Sequence, residues 1–157
     1  MKLVFNLTPE VLSPQMLLDC DVFNNGCLGG TPTQALSVAG IQSEANYPYM
    51  GELGRCRFNR SKEVMHYTNH TGVWYTDLNE GEKGLQMLAL KGPLVALIDA
   101  RSDSFKNYKS GVYFNPDCSQ DKDDLNHAVL LVGYGTDPKE GDYWLVVSVH
   151  PECRVSD

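Results

Sequence analysis

The sequence has no long hydrophobic run, few charged residues and no basic stripe. Its longest apolar run, around residues 128–132, is far shorter than the roughly 20 residues that cross a bilayer as a helix. The net charge is −7, and the 13 lysines and arginines are spread out, which argues against binding to a phosphate backbone. Apolar residues make up 42% of the chain, so a disordered composition is excluded. We expect a globular chain that binds neither membranes nor nucleic acid.

The first residues also lack the pattern of a secretory signal peptide. The apolar stretch at residues 1–5 is followed by polar residues and Pro9, which leaves too little length for a signal h-region. Three N-glycosylation sequons, at Asn6, Asn59 and Asn69, and five cysteines nevertheless point to an ancestry in the secretory pathway.

Local patterns predict helices in the first half of the chain and strands in the second. Ser13 as an N-cap with Pro14 at the first helical position predicts a short helix that ends near Cys20. Further helices are predicted over 31–39 and 82–90, each ended by glycine. Strands are predicted over 94–98, 128–134 and 143–149, with a turn-rich segment at 135–141, and loops over 24–30 and 47–58.

Two features could carry chemistry, and each has an ordinary structural alternative. A lone histidine at a strand end, such as His127, is most often structural, but beside a thiol it could be the base and ion-pair partner of a cysteine nucleophile. The Gly-Cys-Leu-Gly-Gly segment at 26–30 is either a tight turn with a half-cystine or a backbone edge that an extended peptide joins as an added strand.

Other patterns do not support a metal or a cofactor. His66 and His70 are four residues apart, but no carboxylate lies between them and their segment favours strand or loop. The acidic segment 121–124 lacks the glycine and the terminal glutamate of a calcium loop, so a solvated loop is the simpler interpretation. Gly-Tyr-Gly at 133–135 lacks the rest of a dinucleotide fingerprint. We expect no metal and no cofactor.

Short motifs in a fixed order extend over nearly the whole chain, from about residue 11 to residue 147. They are Leu-Ser-Pro-Gln at 12–15, Leu-Asp-Cys at 18–20, Gly-Cys-Leu-Gly-Gly at 26–30, Ser-Glu-Ala-Asn-Tyr-Pro-Tyr at 43–49, Arg-Cys-Arg-Phe-Asn at 55–59, Tyr-Lys-Ser-Gly-Val-Tyr at 108–113, Leu-Asn-His-Ala-Val-Leu at 125–130, Val-Gly-Tyr-Gly at 132–135 and Tyr-Trp-Leu-Val at 143–146. With these motifs the chain resembles the papain family of cysteine peptidases, and within it the cathepsin L, K and S group.

The resemblance implies an α+β fold with two lobes and an active-site cleft between them. Residues 1–71 would form an incomplete, mostly helical lobe, and residues 72–157 an incomplete β-barrel lobe. His127 would be the catalytic histidine, with Ser148 at the position of the asparagine that orients it. The implied disulfide joins Cys20 to Cys56. The implied substrate-binding residues are Gly29, Gly30, Thr31, Pro32, Leu97, Leu125, Asn126 and Ala128.

Departures from the family pattern bear on activity. The family segment with the oxyanion glutamine and the nucleophilic cysteine precedes the Leu-Ser-Pro-Gln motif, and we expect this chain to lack it. Ser148 replaces an asparagine. Cys27 and Cys118 are expected to lack their family partners, and Cys153 is a candidate partner for Cys118.

These features lead to an expected function with two alternatives. The complete relatives that the resemblance implies hydrolyse peptide bonds in lysosomes or outside the cell, and we expect this chain to be a catalytically inactive homologue. One alternative is a non-catalytic module that binds peptides, propeptides or cystatin-type inhibitors. The other is a fragment of a longer, active peptidase.

Overall fold

The computed structural model describes residues 10–35, 38, 40–66, 81–148 and 153. Its helices are α1 (Pro14–Cys20), α2 (Pro32–Ala35), α3 (Gly81–Ala89) and α4 (Asp103–Lys106), and its strands are β1 (Gly40–Gln42), β2 (Glu63–His66), β3 (Leu94–Ile98), β4 (His127–Asp137) and β5 (Gly141–Val147). Short 3₁₀ turns cover Gly26–Leu28, Arg60–Lys62 and Lys122–Asp124. In the described part of the chain, every helix is too short or too polar to span a bilayer.

Contacts divide the chain into two compact units. The first comprises Met1–Trp74 with Pro151–Asp157, and the second comprises Tyr75–His150. The expected lobes, residues 1–71 and 72–157, stay a prediction.

The first unit is organised around α1. As predicted, Ser13 caps this helix: its hydroxyl oxygen accepts the Met16 amide at 3.0 Å and donates to the Tyr47 carbonyl at 2.5 Å. Met16, Ile41 and Tyr47 form the buried core. The hydroxyl of Ser13 therefore joins the start of α1 to the segment that covers its buried face.

A two-stranded antiparallel sheet completes the described core of the first unit. β1 pairs with β2, with Ile41 opposite Met65. Local patterns did not predict these strands, because three and four residues are too few to display an alternating pattern. Of the helix predicted over 31–39, the structure has α2 at its start, and residues 36, 37 and 39 lie outside the described residues.

The second unit contains an antiparallel sheet in the order β3-β4-β5. Val129 and Leu131 are buried on one face of β4, whereas the alternating residues Leu130 and Val132 are exposed, as expected for a sheet covered on one side. β3 has the predicted bounds and α3 lies within one residue of its prediction. β4 extends to Asp137, into the segment 135–141 that was predicted to be a turn, and the turn is confined to the residues between Asp137 and Gly141.

Two disulfides lie in the first unit. The Cys20–Cys56 disulfide implied by the resemblance is present. Cys27, which was expected to lack a partner, pairs with Cys153. Cys118 forms no disulfide, as expected, so the candidate pairing of Cys118 with Cys153 was wrong. The physical reason is that Cys153 lies in the first unit with its Cα 5.4 Å from that of Cys27, within bridging distance.

Candidate active site

His127 and Ser148 meet because β4 and β5 are paired. His127 is the first residue of β4 and lies opposite Ile98 of β3, while Ser148 directly follows β5. The imidazole Nε2 lies 2.9 Å from the Ser148 hydroxyl oxygen. The Phe105 ring stands edge-on to the half-buried imidazole, with ring centroids 6.4 Å apart. The sheet therefore holds the imidazole against the position where the resemblance places its orienting residue.

The partner of His127 determines which tautomer of its ring is favoured. An amide oxygen only accepts hydrogen bonds, so an asparagine oxygen at this place would favour the proton on Nε2. A serine hydroxyl both donates and accepts, so the contact with Ser148 is compatible with either neutral tautomer. Ser148 therefore retains the contact but selects the tautomer less strongly than asparagine would.

A charged network fixes the backbone that leads to His127. Arg101 binds Asp99 through two hydrogen bonds, Nε to Oδ1 at 2.8 Å and Nη2 to Oδ2 at 2.9 Å, and its Nη1 lies 2.6 Å from Asp124 Oδ1. The guanidinium beside Asp99 holds the pKa of that carboxyl well below its usual range. The pKa of Asp124 is also lowered, most by a hydrogen bond from Ser119 and next by one from Arg101. Two residues separate Asp124 from His127, so the network anchors the backbone that leads to the imidazole.

Asn126 adds backbone contacts to the same approach. Its amide donates to the Ile98 carbonyl at 3.1 Å, and its side-chain oxygen accepts the Ala100 amide at 2.9 Å. Substrate binding by Asn126 stays a prediction. In the structure its side-chain oxygen is hydrogen-bonded to the backbone of the same chain, at Ala100. The predicted solvated loop at 121–124 contains an ion pair to Arg101, which local sequence does not reveal.

The glycine loop of the first unit is held by Asn24, which sequence patterns did not single out. Its side-chain oxygen accepts the Thr31 amide at 2.8 Å, and its nitrogen donates to Asp21 Oδ2 at 2.6 Å and the Thr31 carbonyl at 3.1 Å. A Cβ on Gly30 would lie 2.0 Å from the Asn24 side-chain oxygen. Gly30 therefore permits the close approach of the side chain that bridges the loop.

The backbone hydrogen bonds of this loop differ between its two adjacent glycines, Gly29 and Gly30. Gly29 adopts a positive φ of 100°, donates to the Gly26 carbonyl and accepts from the Asn25 amide. In the part of the chain that the structure describes, the amide and carbonyl of Gly30 have no hydrogen-bond partner. The loop thus has one donor and one acceptor available to an incoming chain.

The remaining predicted substrate-binding residues lie in both units. Leu97 and Ala128 are opposite each other on β3 and β4, and both are exposed. Leu125 is half-buried, two residues before His127. Thr31 and Pro32 lie in the first unit at the start of α2. Their joint role in one pocket stays a prediction.

Comparisons with known proteins identify the family of this chain. A family profile described as papain family cysteine protease matches residues 5–148. A cathepsin L-like protein of Caenorhabditis elegans is 41% identical over 143 residues, which is 86% of this chain and 40% of that protein. Cathepsin J of Mus musculus is 44% identical over 151 residues, 90% of this chain and 42% of that protein.

Solved structures share the fold. The digestive procathepsin L2 proteinase from the larval midgut of Tenebrio molitor superposes with a TM-score of 0.78 at 36% identity, over 91% of this chain and 45% of that one. The predicted papain-like α+β fold is confirmed. This chain spans about two fifths of the length of the curated relatives it matches. It belongs to the papain family of cysteine proteases and is of the cathepsin L type.

Proposed function

We propose that these 157 residues form a peptidase homologue that retains the imidazole of the active site and does not hydrolyse peptide bonds. The state of the cysteines carries this proposal. All five lie in the described part of the chain, and Cys20, Cys56, Cys27 and Cys153 are joined in disulfides. The thiol of Cys118 contacts the Ser119 carbonyl at 3.9 Å and, among described residues, has no bond to His127.

Chemistry explains why this pattern opposes activity. A cysteine peptidase needs a thiolate that attacks the amide carbon while the neighbouring imidazole, as imidazolium, protonates the leaving amine. His127 could supply that proton and Ser148 could support its ring. The one cysteine outside a disulfide, Cys118, places its thiol against the Ser119 carbonyl. Loss of a nucleophile alone costs roughly 10⁶-fold in kcat.

Turnover of a dipeptidyl coumarin amide by the purified chain tests this proposal. We expect no release of coumarin above that of a His127→Ala control. Release that depends on His127 and is abolished by a cysteine-directed inhibitor would contradict it. A Cys118→Ser variant separates adventitious thiol reactions from catalysis.

A longer protein that contained these residues and a nucleophilic cysteine would still place Ser148 beside His127. Because serine is compatible with both imidazole tautomers, we propose that such a protein has a lower kcat than its Ser148→Asn variant. Two disulfides support a lysosomal or extracellular location, because proteins reach both through the secretory pathway, where disulfides form.

Binding of an extended peptide without cleavage is a second candidate function, favoured by the open backbone of Gly30. An extended chain could pair with its amide and carbonyl as an added strand. Peptides, propeptides and cystatin-type inhibitors are the proposed ligands.

Calorimetry with a cystatin-type inhibitor and with a short apolar peptide tests this candidate. We expect submicromolar binding of the inhibitor and a marked loss in the Gly30→Ala variant, whose Cβ would displace Asn24. Gly133→Ala is the matched control, because a Cβ there has open space. No detectable heat with either ligand would dismiss the binding function.

A further inference from the structure

We propose that Asn59 is an N-glycosylation site that carries an N-linked oligosaccharide. Asn59, Arg60 and Ser61 form a sequon. The structure folds them into a local turn in which the Asn59 side-chain oxygen accepts the Ser61 amide at 3.0 Å and the Ser61 hydroxyl at 2.8 Å. The two residues that define the sequon are thus in direct contact through the hydroxyl on which recognition depends.

The acceptor atom is available. Asn59 is exposed, and its Nδ2 has no hydrogen-bond partner among the described residues. The Asn59 backbone is anchored by Gln42, which is 1% exposed and whose side-chain oxygen accepts the Asn59 amide at 2.6 Å. The backbone is therefore held from the buried side while the side chain of Asn59 is exposed.

The neighbouring disulfide gives independent support for the compartment. Cys56 lies three residues before Asn59 and is joined to Cys20. Disulfides form and persist in the oxidising secretory pathway, which is also where N-linked oligosaccharides are added. The same short segment therefore carries an oxidised cysteine and an exposed sequon.

The transfer needs a lipid pyrophosphate-linked oligosaccharide as donor and a transferase. Nδ2 of Asn59 forms a bond to the anomeric carbon of the first sugar, the bond from that carbon to the pyrophosphate oxygen breaks, and the lipid pyrophosphate leaves with the electron pair. One Nδ2 proton passes to a base of the transferase. Donation from the Ser61 hydroxyl to the side-chain oxygen favours this step, because negative charge developing on the carboxamide is shared with that oxygen.

Cell-free translation with endoplasmic reticulum microsomes tests the site. The full chain, behind a cleavable signal peptide, carries Asn6→Gln and Asn69→Gln so that the sequon at Asn59 is the one remaining. We expect the protease-protected chain to show one mobility shift that an endoglycosidase removes. Asn59→Gln and Ser61→Ala should abolish the shift, whereas Ser61→Thr and the matched control Arg60→Ala should retain it.

The readout does not require a variant to keep its whole fold, because the hydrogen bonds between Asn59 and Ser61 are local to the sequon. A protected chain without a shift would overturn the proposal. A shift that persists in the Asn59→Gln variant would also overturn it, since the glycan would then lie elsewhere. After enzymatic release of the glycan, mass spectrometry of the peptide that contains residue 59 should show deamidation of Asn59.

Discussion

Nε2 of His127 lies 2.9 Å from the hydroxyl oxygen of Ser148, and this bond joins the first residue of β4 to the residue that follows β5. Because a hydroxyl can donate or accept, the bond leaves the tautomer of the imidazole less defined than an amide oxygen would. The tautomer of the His127 imidazole can be measured whether or not the chain is active.

Ser148→Asn should shift the neutral His127 ring towards the tautomer with the proton on Nε2. The reason is that the asparagine oxygen is an acceptor only. The ¹⁵N chemical shifts of the ring report the tautomer directly. Ser110→Asn, at an exposed serine of the same unit, is the control and should leave the shifts unchanged. An unchanged tautomer ratio in Ser148→Asn would contradict the orienting role of this position.

The Arg101 network should give a pH-dependent contribution to stability. The pKa of Asp99 is lowered in the folded state from its ordinary value of 3.8, chiefly by hydrogen bonds from Arg101. The unfolded state therefore binds more protons than the folded state below this value, so the contribution is complete above about pH 4 and is lost as the pH falls further.

Urea unfolding of Arg101→Gln across pH 2–7 measures this contribution. The variant should be less stable than the parent chain at neutral pH, and the difference should shrink below pH 4. Arg55→Gln, at an exposed arginine with no ion pair among the described residues, should show no such trend. A difference that is constant down to pH 2 would be inconsistent with a charge-based role.

Gly30→Ala should destabilise the first unit by about 1–3 kcal/mol, because the added Cβ would lie 2.0 Å from the Asn24 side-chain oxygen. Gly133→Ala should change the free energy of unfolding by less than about 0.5 kcal/mol, since open space surrounds the added methyl group. Urea unfolding followed by fluorescence compares the two. Equal effects would show that the contact with Asn24 is not the cause.

Non-reducing peptide mapping should recover Cys27 linked to Cys153 and leave Cys118 as a free thiol. Cys153→Ser should lower the free energy of unfolding by about 2–5 kcal/mol, since a long loop is no longer closed in the unfolded state. Cys118→Ser should have little effect. Recovery of a Cys118–Cys153 peptide would contradict the pairing.

Features that depend on neighbours in sequence were predicted well. The cap at Ser13, the strand β3 and the helix α3 follow from residues within a few positions, and the structure confirms them. The β1–β2 pair, the bridge from Arg101 to Asp124 and the Cys27–Cys153 disulfide join segments 20 or more residues apart. No local pattern encodes such partners, because their meeting depends on how each unit packs.

The same distinction applies to the site. His127 was found from its motif, but its support by Asn126 and Arg101 became visible only when β3 was paired with β4. The role of Asn24 was missed, although its position before a turn was a usable signal, because only the folded loop brings it against Gly30.

Alkylation of the native chain with iodoacetamide at pH 5, with each cysteine quantified by mass spectrometry, tests most directly whether an activated sulfur faces the imidazole. An ordinary thiol has a pKa of about 8.5 and is almost unreactive at this pH, whereas a thiolate paired with an imidazolium reacts readily. We expect no alkylation at any of the five cysteines. Rapid alkylation of one cysteine at pH 5 that disappears in the His127→Ala variant would contradict catalytic inactivity.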